Sequence, residues 1–134
     1  MRAQVAFEYM VIVGMVMLFL IPMWIYISGV QQGASSQISI SYAENAVNKI
    51  VSHADLVNSQ GPPAKITSTL YIPPGVQEIN FVDTTVHLRL LTSDGQMDIL
   101  GVANVNITGT LPTREGNYQL RVEAVAGGVS VSVL

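Results

Sequence analysis

The feature that most restricts this chain is a run of residues without charge. Arg2 and Glu8 are followed by no charged side chain until Glu44, and the stretch from Tyr9 to Val30 is almost wholly apolar. A run of that length crosses a bilayer as a helix. The sequence is therefore read as starting in a membrane, and the rest of its 134 residues leave room for one small domain beyond the helix. Met1-Arg2-Ala3 is a short positive segment ahead of the run, and the positive-inside rule predicts a cytoplasmic N-terminus with the remainder outside. No A-x-A pattern ends the run, which argues against an ordinary secretory signal peptide that is wholly removed.

Within the run, Pro22 deletes one backbone hydrogen bond and predicts a kink or local loosening. Trp24 and Tyr26 lie near its far end, either as an interfacial aromatic belt or as packing residues of a helix bundle. Gln31–Ser41 is polar and uncharged, either a hinge or a polar continuation. The next residues favour continuation. Ile40, Ala43, Val47, Ile50, Ala54 and Val57 recur at steps of three and four, the seam of an amphipathic helix. Gly61-Pro62-Pro63 predicts its end, since glycine suits a left-handed cap and the prolines do not extend a helix. Unbroken from Gln4 to Asn58, such a helix is roughly 80 Å long at 1.5 Å per residue. A small domain cannot bury all of it, so part must meet lipid or other copies of the chain.

After Pro63 the period changes to two. Ile66, Leu70 and Ile72 alternate with Thr67, Thr69 and Tyr71. Val86, Leu88 and Leu90 alternate with His87 and Arg89, and Tyr118, Leu120 and Val122 with Gln119, Arg121 and Glu123. Shorter strands are expected at Gln77–Phe81, Gln96–Leu100, Ala103–Thr110 and Val129–Leu134, separated by turn signals at Pro73-Pro74-Gly75, Asp94-Gly95, Pro112, Gly116-Asn117 and Gly127-Gly128. The fold class expected is α+β: a long N-terminal hydrophobic α-helix followed by a small antiparallel β-sheet or β-sandwich head. The divisions are a short leader at 1–3, a helix at 4–60 and a β-rich head at 64–134.

Charge and residue types narrow the function. Only 11% of residues are charged and the net charge is −3, so no basic surface predicts nucleic-acid binding. Cysteine is absent, which removes thiolate metal sites and cysteine nucleophiles. His53 and His87 have no ligand-spaced partners, and no metal or cofactor is expected. His87 falls on the polar side of its strand. Asp83, Asp94 and Asp98 could form a carboxylate cluster, but Asp94 suits a turn with Gly95 and Asp98 the exposed phase between Met97 and Ile99. No nucleophile–base pair or phosphate loop is evident, so catalysis is not expected. Asn106-Ile107-Thr108 is a glycosylation sequon, meaningful if the head is outside the cell.

Gln4-Val5-Ala6-Phe7-Glu8-Tyr9, running straight into the apolar helix, resembles the processing motif of archaeal type IV pilin-like proteins with a class III signal peptide: glutamine, any residue, a small residue, any residue, glutamate. The match covers about the first fourteen residues, with Ala3 where many relatives have glycine. The resemblance implies cleavage between Ala3 and Gln4 by a prepilin peptidase on the cytoplasmic side. It implies that the retained helix then passes, with the help of assembly machinery, into the core of a homo-oligomeric helical filament on the cell surface. Glu8 costs about 2.5–3.5 kcal/mol if buried unpaired in hydrocarbon; the new α-amine of Gln4 is one partner, and snorkelling to the interface is the alternative. Tyr9, Gly14 and Pro22 are the further residues expected to shape assembly, with Gly14 and Gly29 allowing close helix approach. Rival readings are a membrane-anchored β-sandwich accessory that never polymerises, or a minor or initiating pilin. The sequence carries no feature that selects among adhesion, motility and exchange of material.

Overall fold

The computed structural model describes all residues, Met1–Leu134, in the order α1 (Arg2–Gln60), β1 (Lys65–Ile72), β2 (Val76–Val82), β3 (Thr85–Thr92), β4 (Gly95–Val102), β5 (Ile107–Gly109), β6 (Gly116–Val125) and β7 (Gly128–Val133). The fold is α+β, as the change of period predicts. The chain divides into two compact units, Met1–Ser35 and Ser36–Leu134.

The first unit is helix alone. Every residue from Met1 to Ile27 is exposed, and this stretch is long and apolar enough to anchor in a membrane. Helical structure continues through Pro22 and through Gly33, so the polar stretch after Val30 is a continuation and not a hinge of irregular backbone. The helix ends where expected: Gly61, at φ 72°, donates its N–H to the Val57 carbonyl at 3.1 Å, the bond of a left-handed cap. The Pro62–Pro63 peptide is cis.

In the second unit, Ala43, Ala46, Val47, Ile50, Ala54 and Val57 of α1 are buried. They share one core with Leu70 and Ile72 of β1, Val86, Leu88 and Leu90 of β3, Leu120 and Val122 of β6, and Val129 and Val131 of β7. Two sheets enclose that core, in the orders β1-β6-β7-β5 and β2-β3-β4. All pairs are antiparallel except β5 on β7, which is parallel over Ile107–Gly109. The strand expected over Ala103–Thr110 thus shrinks to three residues. Its first half is instead a crossover between sheets, with the Ala103 N–H on the Thr84 carbonyl and the Asn104 N–H on Asp55 of the helix.

Candidate functional site

The residues of the N-terminal motif all lie on α1. Gln4 and Glu8 are four apart and so share a helix face, next to Tyr9, which is 69% exposed. No ion pair within the chain reaches Glu8. Ala3 and Gln4 sit in the first turn, where Val5 is the first residue whose N–H finds a carbonyl, that of Met1. The Ala3–Gln4 bond therefore belongs to the part of the helix with the fewest backbone bonds to lose on unwinding. At Gly14 and Gly29 an added Cβ would meet nothing within 4 Å, and the helix surface is flat there. Pro22 lies inside the helix, on the same exposed stretch.

The head carries polar constellations that the sequence reading did not anticipate. On the outer face of β2-β3-β4, Arg89 stands between two carboxylates: its Nε donates to Asp98 at 3.0 Å and its Nη1 to Glu78 at 3.4 Å. The hydrogen bond to Asp98, and then the charges of Asp98 and Glu78, hold the guanidinium above its ordinary pKa. His87 Nε2 lies 3.8 Å from Asp98. Asp98 is exposed as expected, yet it is an ion-pair partner and not merely a solvated strand residue. No three histidine or acidic side chains converge as metal ligands.

Ser68 of β1 lies 3.2 Å from His53 Nδ1 on the helix. A serine–histidine contact is the first ingredient of nucleophilic catalysis, and the sequence hid it because the two residues sit on different elements. No carboxylate is hydrogen-bonded to His53. Its pKa is lowered by burial and then by the neighbouring Lys49 charge. The contact joins helix to strand, as does Lys49, whose Nζ donates to the Thr69 carbonyl. Tyr42 and Tyr71 meet edge to face at 5.0 Å, and the Tyr71 hydroxyl donates to Glu115 at 3.3 Å. Burial, and then the Glu115 carboxylate, raises the Tyr71 pKa.

The sequon straddles the start of β5. The Asn106 side chain is exposed, its carbonyl accepts the Val129 N–H at 2.8 Å, and Ile107 is buried. Asn106 stands on the rim of an open crevice of about 500 Å³ shared with Asn58, Thr84 and Asn104. No protein-family profile, curated protein or solved structure matches the chain.

Proposed function

We propose that this chain is a structural subunit of a type IV pilus-like surface filament, made as a membrane precursor with its N-terminus in the cytoplasm and its head outside. The observation that carries the reading is the contrast along α1. Apolar side chains before Ile27 are all exposed, whereas the seam from Ala43 to Val57 is buried by the chain's own strands. A single helix that is complete at one end and bare at the other is suited to exchange lipid for neighbouring copies. That exchange swaps one apolar surrounding for another, so close packing and a few polar pairs must drive it.

In this reading a prepilin peptidase cuts between Ala3 and Gln4, and the freed α-amine of Gln4 pairs with Glu8 of the same or an adjacent helix. Tyr9, Gly14 and Pro22 shape the helix bundle, and Asn106 carries a glycan on the exterior. Replacing Glu8 with alanine is expected to reduce filament yield sharply while sparing membrane insertion. Sheared surface material, imaged by electron microscopy and peptide-mapped, should contain this chain beginning at Gln4. Recovery of the chain only as a membrane monomer would reverse the reading in favour of an anchored, non-polymerising accessory protein.

A further inference from the structure

Four connections meet at one end of the head. They are the end of α1, the β2–β3 turn, the crossover that leads into β5, and the β6–β7 turn, and together they border the crevice on whose rim Asn106 stands. Its volume of about 500 Å³ lies within the range of ligand clefts, about 300–1,000 Å³.

The walls are polar without being charged. Asn58, Thr84 and Asn104 line the crevice, and no acidic or basic side chain does. An amide both donates and accepts hydrogen bonds, and a hydroxyl does the same, so this lining suits a neutral ligand rich in hydroxyl groups. The Asn58 and Thr84 side chains make no hydrogen bond within the chain. Asn104 is held in place, because its backbone N–H and its Nδ2 both donate to Asp55. Its Oδ1 is left as an acceptor whose position is fixed before a ligand arrives. Pro62 and Val125, the latter 40% exposed, add apolar surface for the C–H faces of a sugar ring. Beside Asn106 the β6–β7 turn presents bare backbone: Gly127 has φ 87°, and a Cβ on Gly128 would come within 2.7 Å of the Asn106 carbonyl oxygen. No side chain of the turn fills the space next to the sequon.

We propose that the crevice is the docking site of the glycan carried by Asn106, whose first sugars lie against Asn58, Thr84 and Asn104. The inference rests on the functional reading above in one respect, the modification of Asn106. A free saccharide would bear the full translational and rotational cost of binding from dilute solution. A glycan attached to a rim residue is present at an effective concentration in the millimolar range, so an affinity too weak to capture a free sugar still fills the crevice. The docked sugars join the end of α1, the β2–β3 turn and the crossover through one ligand. They bind the folded head and not the unfolded chain, and so they stabilise the head.

A double-mutant cycle tests the docking, on the full-length chain purified from the cells that make it and held in zwitterionic detergent micelles, which carry no competing sugar headgroup. One arm is N58A with T84V, which strips two polar groups from the crevice. The other is T108A, which destroys the sequon but leaves Asn106 in place, at a residue that does not line the crevice. Intact mass reports the glycan. With the glycan attached, N58A with T84V is expected to lower the melting temperature by about 4–8 °C more than it does in the T108A background. That is the shift for a fall in the docked-to-free ratio from about ten to about one in a domain of this size. Effects of the pair on the helix and the turn are common to both backgrounds and cancel. If the pair unfolds the head, A126W replaces it, filling the crevice from the β6–β7 turn with the same excess expected. A chain that bears the glycan and shows no excess overturns the docking and leaves the modification standing; a chain of unmodified mass overturns both.

Discussion

Gly101 lies where β4 passes over the helix: an added Cβ would meet the side chains of Val47 and Val51. Gly101→Ala should therefore destabilise by about 1–3 kcal/mol through overpacking, measured by chemical unfolding. Asp55, one turn beyond Val51 on the same row of α1, holds the neighbouring crossover, its carboxylate accepting the Asn104 N–H at 2.8 Å and the Asn104 amide at 3.0 Å. Asp55→Ala is expected to cost about 1–2 kcal/mol, discounted because the pair is exposed. His53 supplies a pH dependence of defined sign. Its folded pKa lies below the ordinary imidazole value of 6.5, so the stability it contributes is complete above that value and lost as pH falls through the folded one. His53→Gln removes this titration. Between about pH 7.5 and 5 the wild-type melting temperature should fall relative to that of the variant, and a constant gap would refute the assignment.

The two halves of α1 should answer mutation differently. Ile50 is 1% exposed and Ile12 is 60% exposed. Ile50→Ala is expected to cost about 2–5 kcal/mol of head stability, and Ile12→Ala less than about 0.5 kcal/mol, both by denaturant titration in micelles. This seam was legible in the sequence because helical period and burial coincide over Ala43–Val57, and the cap was legible because Gly61-Pro62-Pro63 allows little else. Strand phase was equally plain at Leu70, Leu88 and Leu120, all of which are buried. Hidden were the pairings: nothing local tells β5 to lie parallel on β7, or divides seven strands into sheets of four and three. The Asp55–Asn104 and His53–Ser68 contacts were hidden for the same reason, since each joins residues whose separation in sequence has no period. For Gln4–Glu8 the sequence offers a resemblance alone, because these residues touch nothing in the single chain that would reveal a role.

At the scale of the molecule, every buried core side chain lies between Ala43 and Val131. A chain shortened to residues 36–134 should therefore keep the circular dichroism and cooperative melting of the head, and loss of both would show that Met1–Ser35 is needed for folding. The order of strands has a further consequence for biogenesis. β7 lies between β6 and β5, and its Val129 and Val131 are buried, so the larger sheet is incomplete until residue 133 has left the ribosome. The apolar helix, made first, is ready for the bilayer many seconds earlier, at about 5–20 residues per second. Throughout that interval the seam at Ala43–Val57 lacks the part of its cover that β6 and β7 supply, and the incomplete head is at its most vulnerable to proteases and to pairing with the wrong copy.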